Sequence, residues 1–462
     1  MNRRILTALV VMASALRLSA ASISYTDADE WKAYDDFNRV FLDMDKYIYR
    51  DYSDRPRAVD RWGGAAAIWC QAIYFDMAVN AYRRAAQEND SARMKKYRTQ
   101  FLHIYSGEKK QYCDFDFHNN NTNTGWFVYD DIMWWTIALA RAYDVFGTAE
   151  YLEYSENSFC RVWYGSEKVG DDGSYADPAR GLGGGMFWEW QPIENPKPHK
   201  AGDFRSACIN FPTVIAACLL HQLVPEGRKD PVGAHPSHQS KEWYLEKAIE
   251  VYDWANSTLV KNGQVADGIH GGGPEFHDHL YNQATYIGAS CLLYMITNDV
   301  TYLTNARAAA DYVFRTMSTS NIMPLETGVE QGVYHAIFAQ YIHMLIYDCG
   351  QNGYLSVVQR NIEQGWKHRD TTRGISNCNF NRDTKPDERV ESYTASGLPA
   401  LMLMFPVGDS QTDVSSPHAA VSPSSDVFDM GGRLVRADAS PPEMGNLQRG
   451  LYIYNGQKML VR

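Results

Sequence analysis

The stretch Tyr129-Asp130-Asp131-Ile132-Met133-Trp134-Trp135-Thr136-Ile137-Ala138-Leu139-Ala140-Arg141-Ala142-Tyr143-Asp144 opens on two carboxylates and continues apolar on nearly every side. At 3.6 residues per turn it is a helix with no wide polar face, and such a helix has to be buried. The segment that follows, Tyr151 to Trp163, is polar on one face and can lie against water. A buried helix followed by an amphipathic one is the unit that decides the fold.

That unit recurs in both directions. Between Asp27 and Phe405 twelve segments keep the helical period, beginning near Asp27, Gly64, Ser91, Asp131, Ala149, Ser206, Lys241, His279, Val300, Tyr334, Tyr354 and Glu391. Six inner and six outer helices connected in alternation predict an all-α (α/α)6 barrel, a toroid whose inner helices converge on one central funnel. The openings Ala149-Glu150-Tyr151-Leu152 and Asp299-Val300-Thr301-Tyr302-Leu303 agree with a two-helix repeat. Two long loops rich in glycine and aromatics, Gly165 to Asp203 and Asn262 to Asp278, are the expected carriers of substrate contacts.

The ends differ in composition. Arg3 and Arg4 precede the apolar run Ile5 to Leu16 and the small residues Ser19-Ala20-Ala21, so residues 1–21 read as a signal peptide. No cysteine in or just after it offers a lipid attachment point, and no later segment is long and apolar enough to span a bilayer. The expected product is an exported chain without a transmembrane segment, acting as a monomer. Residues 22–406 form the helical domain, 407–426 a Ser/Pro-rich linker, and 427–462 a small β segment with Asn455-Gly456 as a hairpin turn.

A net charge of -11 disfavours nucleic acid as a partner and is compatible with a neutral substrate. Aromatic residues make up 13% of the chain, and their faces suit both a large core and a sugar groove. Eight cysteines, at 70, 113, 160, 208, 218, 291, 349 and 378, show no CxxC or CxxH spacing, so zinc is not expected. Cys70, Cys218 and Cys291 fall inside apolar helical patterns and read as buried thiols. The cluster His270, His277, Asp278 and His279 lacks the helical spacing of a metal site. Gly170 to Asp177 superficially resembles a calcium loop without its closing glutamate and reads as a solvated turn. Neither a metal nor another cofactor is expected.

The adjacent aspartates admit two readings. Acidic residues at a helix start accept the free N–H groups and complement the dipole, which is capping. One would suffice for that, and a second adds like-charge repulsion unless both point at a ligand. Retaining glycoside hydrolysis requires such a pair about 5 Å apart, one carboxylate attacking the anomeric carbon while the other protonates the leaving oxygen. Carboxyls that close titrate in coupled steps with one proton held between them. Their physics alone does not say which residue takes which role. Trp134 and Trp135 on the buried helix read as core, whereas Trp126, Trp188 and Trp190, in or beside polar loops, are candidates for stacking on sugar rings.

The Tyr129-Asp130-Asp131 and Trp134-Trp135 run resembles the catalytic motif of glycoside hydrolase family 76, the endo-α-1,6-mannanases. Gly183-Gly184-Gly185-Met186-Phe187-Trp188 resembles the family's Gly-Gly-x-x-Trp loop, and Tyr281-Asn282-Gln283 its Tyr-Asn-Gln motif. Glu330 to Tyr341 is similar to its Lys-Gly-x-Phe-x-Arg-Tyr segment. The resemblance implies an (α/α)6 barrel and a retaining, endo-acting hydrolase of the α-1,6-linked mannan backbone. It implies Asp130 as nucleophile, Asp131 as general acid/base, and Asn210, Tyr281, Asn282 and Gln283 among the substrate-binding residues. Two departures, Ile209-Asn210-Phe211 in place of small-Asn-Gly and Gln340-Tyr341 in place of Arg-Tyr, imply altered subsites. The ending Gly450 to Arg462 resembles the C-terminal sorting domain of type IX secretion. The alternatives are a transglycosylase or another sugar-active enzyme of the same fold, and a non-catalytic glycan-binding protein.

Overall fold

The computed structural model of the chain describes residues 23–119, 121, 126, 128–189 and 196–408, together with the strand backbone of 427–429, 434–436, 450–454 and 457–461. The signal peptide, residues 409–426 of the linker, Trp190 and the Asn455-Gly456 turn lie outside the described residues.

Thirteen α-helices are described: α1 (Asp27–Phe41), α2 (Ile68–Gln87), α3 (Ser91–Gln111), α4 (Tyr129–Phe146), α5 (Ala149–Tyr164), α6 (Ala207–Leu223), α7 (Lys241–Leu259), α8 (Leu280–Thr297), α9 (Val300–Tyr312), α10 (Tyr334–His343), α11 (Leu355–Lys367), α12 (Ser392–Ala395) and α13 (Gly397–Met404). The last two are one predicted segment, interrupted at Ser396. Burial alternates along them. In α4 every residue except Tyr143 and Asp144 is buried, while α7 buries only the stripe Tyr244, Ala248, Val251, Tyr252, Ala255 and Leu259.

The even-numbered helices α2, α4, α6, α8 and α10 pack in chain order, α10 packs on α13, and α13 returns to α2, so the inner ring closes. The outer helices α3, α5, α7 and α9 pack beside the inner helices that precede them, and α1 and α11 both lie on α13. This is the (α/α)6 barrel. The second helix starts four residues later than the periodicity predicts, at Ile68 rather than Gly64, because Arg50 and Ala65 form a β-bridge and the Ala66 N–H bonds the Tyr49 carbonyl at 2.9 Å. Those backbone groups are engaged before the helix can claim them.

The connections are unequal at the two ends of the ring. Those from outer to inner helices, at 42–67, 112–128, 165–206, 260–279, 313–333 and 368–391, are long. Three of those from inner to outer helices, at 88–90, 147–148 and 298–299, are tight turns. Gly147 (φ 64°) and Asn298 (φ 59°) close α4 and α8 in the left-handed conformation that such turns require. Within the long connections, Arg205–Ser206 pairs antiparallel with Gly268–His270, which pairs with Gly273–Glu275. In the tail, Val427–Asp429 pairs antiparallel with Leu434–Arg436 and with Gly450–Tyr454, and the latter pairs with Gln457–Val461. No described helix is long and apolar enough to cross a membrane.

Candidate active site

A cleft of about 720 Å³ opens where the inner helices begin. Its wall takes Ile68 and Trp69 from the start of α2, Asp130 and Asp131 from α4, Cys208 from α6, Tyr281 from α8 and Tyr334 from α10. Five parallel helices therefore aim their positive ends at one space, which favours negative charge there. Four further ionisable groups complete the wall: Glu189, Asp267 and Glu330, and the cation Arg61.

The helix start does not use its aspartates as caps. The N-cap residue of α4 is Val128, whose side chain makes no capping bond, and the Tyr129 N–H donates instead to the Trp188 carbonyl at 3.0 Å. Asp130 and Asp131 occupy the first turn and are 8% and 9% exposed. The Trp188 indole N–H donates to Asp130 Oδ1 at 2.9 Å, and the Cys208 thiol also bonds this carboxylate. Burial pushes Asp130 up to about 7, and the Cys208 and Trp188 donors restrain the rise. Asp131 is pushed well above the ordinary carboxylate range, first by burial and then by the Asp130 and Glu330 charges, with Arg61 pulling the other way. Both carboxyls are thus pushed upward, but the donors to Asp130 favour its anion while the Asp130 and Glu330 charges disfavour that of Asp131.

The loop that delivers Trp188 is built by close approaches. Gly183, Gly184 and Gly185 all have positive φ, and a Cβ on Gly184 or Gly185 would stand 2.7 or 2.3 Å from atoms of the Trp254 ring. Downstream, the Phe187 N–H bonds the Ser174 carbonyl at 2.7 Å, the Trp188 N–H bonds the Phe204 carbonyl at 3.1 Å, and Glu189 bridges Val128. The turn at 170–173 is solvated at Gly170 but not at Asp171 or Gly173, contrary to its sequence reading as a wholly solvated turn. Asp171 is fully buried against Arg161, with Nη2 to Oδ2 at 2.6 Å, and it accepts from the Tyr129 hydroxyl at 3.2 Å. Arg161 also donates from Nε to the Phe117 carbonyl at 3.0 Å. One ion pair thus ties the turn to the head of α4.

The floor is aromatic. Tyr281 and Tyr334 stack at 4.0 Å, Trp69 lies 6.4 Å from Tyr334, and the Trp69 indole N–H donates to Glu330 at 2.7 Å. Of the residues singled out from sequence, Asp130, Asp131, Trp188 and Tyr281 meet in this cleft. Asn210, Asn282, Gln283 and Trp126 do not. Asn210 is fully buried and clamps Met186, accepting from its N–H at 2.9 Å and donating to its carbonyl at 3.1 Å. Asn282 donates to Asp267 at 3.1 Å from behind the wall, and the Gln283 amide lies against the backbone of Gly263 and Val265 at 2.9 Å. Trp126 is in the core against Phe117 and Tyr112, and Trp134 and Trp135 are core residues as predicted. All eight cysteines are unpaired thiols, and among the described residues no three His, Cys, Asp or Glu side chains are grouped to hold a metal ion.

Sequence reading missed Arg61, Trp69, Glu189, Asp267 and Cys208 as parts of the cleft. Trp69 and Cys208 are each the second residue of an inner helix, the position that already marked Asp130, and that shared position could have found them.

A closed double ring of helices with a buried acid pair at the head of an inner helix, in an aromatic-floored cleft, fits a carbohydrate-active enzyme. The model of glycosyl hydrolase family 76 matches residues 43–404, and the chain belongs to that family of glycoside hydrolases. Among solved structures, the Lin0763 protein from Listeria innocua superposes with a TM-score of 0.63 at 21% identity, covering 85% of this chain and 99% of that one. The GH76A α-1,6-mannanase from Salegentibacter sp. HEL1_6 also gives 0.63 at 21%, covering 82% and 98%. The family 76 mannosidase Bt3792 from Bacteroides thetaiotaomicron gives 0.61 at 16%, covering 82% and 96%. No curated protein matches the chain.

Proposed function

We propose that the chain is an endo-acting, retaining α-1,6-mannanase in which Asp130 attacks the anomeric carbon and Asp131 protonates the leaving oxygen. The observation that carries this reading is the unequal surroundings of the two aspartates. Asp130 receives N–H and S–H donors that favour its anion, whereas Asp131 faces Asp130 and Glu330 and keeps its proton. A nucleophile and an acid are then present together near neutral pH. The linkage is suggested by the Salegentibacter enzyme, whose inactive variants with two aspartates replaced were solved with α-1,6-mannotriose and α-1,6-mannotetrose. The aromatic floor of Trp69, Tyr281 and Tyr334 suits the apolar faces of pyranose rings, and the carboxylate-rich wall suits a neutral polymer. We further propose that residues 1–21 direct export, that the 427–462 segment is a sorting tail joined by the 407–426 linker, and that the enzyme works as a monomer without a cofactor.

Digestion of linear α-1,6-mannan is expected to give oligosaccharides of mixed length at early times, each released with an α-configured reducing end. Product sizing and NMR of the first-formed anomer check this. Release of mannose alone would replace endo by exo action, a β anomer would exclude the nucleophile, and products longer than the substrate would make the enzyme a transglycosylase.

kcat/KM rises as Asp130 loses its proton and falls as Asp131 loses its own, so the acid limb lies near neutrality instead of the ordinary carboxylate range. Trp188→Phe keeps the ring and removes the N–H donor to Asp130. The acid limb is then expected to move up by about one pH unit, the size of a hydrogen bond to a charged group. An unmoved limb in the kcat/KM profile would separate Trp188 from the ionisation of Asp130.

A further inference from the structure

We propose that Trp62 is a sugar platform at the mouth of the cleft, braced by Arg61, which receives a unit of the polysaccharide lying outside the catalytic subsites. The inference rests on the mannanase reading of the cleft and extends it to the far part of the substrate.

Trp62 is 77% exposed, whereas every other described tryptophan is buried or half-buried. A large apolar ring left in water is unfavourable and marks a binding surface when its position is fixed. Here it is fixed. Asp60 accepts from the Trp62 N–H at 3.0 Å and the Gly63 N–H at 2.6 Å, and the Ala65 N–H bonds the Asp60 carbonyl at 3.0 Å. The turn is fastened from outside as well, since Lys46 Nζ and Gln111 Nε2 donate to the Val59 carbonyl at 2.9 and 3.2 Å. A ring held on such a turn has little freedom to lose on binding.

Arg61 connects the ring to the chemistry. Its guanidinium lies over the Trp62 ring at 5.1 Å, and the same residue lines the cleft, where its charge acts on Asp131. One side of the indole is thereby braced toward the cleft, and the ring itself remains open to solvent. The matching ligand is a neutral pyranose, with its C–H face on the indole and its hydroxyls within reach of the guanidinium. Asp130, Asp131, Glu189, Asp267 and Glu330 against the single Arg61 in the cleft wall disfavour a polyanion. Binding energy that Trp62 supplies equally to the ground state and the transition state lowers KM without raising kcat.

The test compares linear α-1,6-mannan with α-1,6-mannotriose as substrates for the wild-type enzyme, Trp62→Ala and Trp62→Phe. Trp62→Ala is expected to raise KM on the polymer about tenfold with kcat retained, while mannotriose kinetics stay at wild-type values. Trp62→Phe, which restores an aromatic face, is expected to recover most of the loss. An unchanged polymer KM, or equal losses on both substrates, overturns the proposal. Failure of the mannanase reading shows separately, as a wild-type enzyme that leaves linear mannan uncut. The platform is then read from native gels cast with neutral polysaccharides. Retardation of the wild type relative to Trp62→Ala supports it, and equal migration in every gel overturns it.

Discussion

Asp131→Ala is expected to lower kcat/KM on α-1,6-mannan by about a thousandfold, the middle of the range of a general acid-base contribution, and to spare substrates whose leaving group needs no proton. An aryl α-mannoside with an acidic phenol should still form the covalent intermediate on Asp130. Added azide should then intercept it from the α face and yield α-mannosyl azide. Asp130→Ala removes the nucleophile itself, and azide can occupy the vacated space and attack from the opposite side, giving β-mannosyl azide. The anomers of the two azides, read by NMR, assign the roles independently of any rate. Exchanged anomers would exchange the roles, and unimpaired turnover of mannan by either variant would end the assignment.

Asp171→Ala should be the most damaging substitution away from the acid pair. It takes the Asp171 carboxylate away from the fully buried Arg161 guanidinium, and removing one partner of such a pair costs about 3–5 kcal/mol. The lost stability is read as a lower denaturant midpoint for the helical domain. Because Asp171 also holds the Tyr129 hydroxyl at the head of α4, activity should fall even in the fraction that remains folded. Replacing both partners by apolar residues of similar volume, as in Arg161→Met with Asp171→Leu, should restore much of the stability. A single substitution costing less than about 1 kcal/mol would make the pair a surface-like contact, against its complete burial.

The helical ring was legible because its signal is local and repeated. Apolar period, capping residues and turn glycines each report on the chain within a few residues, and α3, α5, α7 and α9 begin at Ser91, Ala149, Lys241 and Val300 as the pattern predicts. Asp130 and Asp131 stood out because two charges interrupt a buried helix. The cleft wall was less legible, since Arg61, Glu189, Asp267 and Glu330 lie on separate connections where no period governs the sequence. The amides misled for a related reason. Asn210 and Gln283 sit in motifs near the acid pair, yet long connections have backbone groups to satisfy, and these side chains serve that need. Asp171 reads as a turn residue until Arg161, ten positions earlier on α5, is brought against it.

The inequality of the two barrel ends has an evolutionary consequence. The tight turns and the ring that they close set the stability of the scaffold, while each long connection contributes its own panel of the mouth. A panel can be lengthened, shortened or exchanged without re-registering any helix against its neighbours. Two relatives can therefore share the acid pair and the ring and still diverge one panel at a time in the glycan branches that they admit.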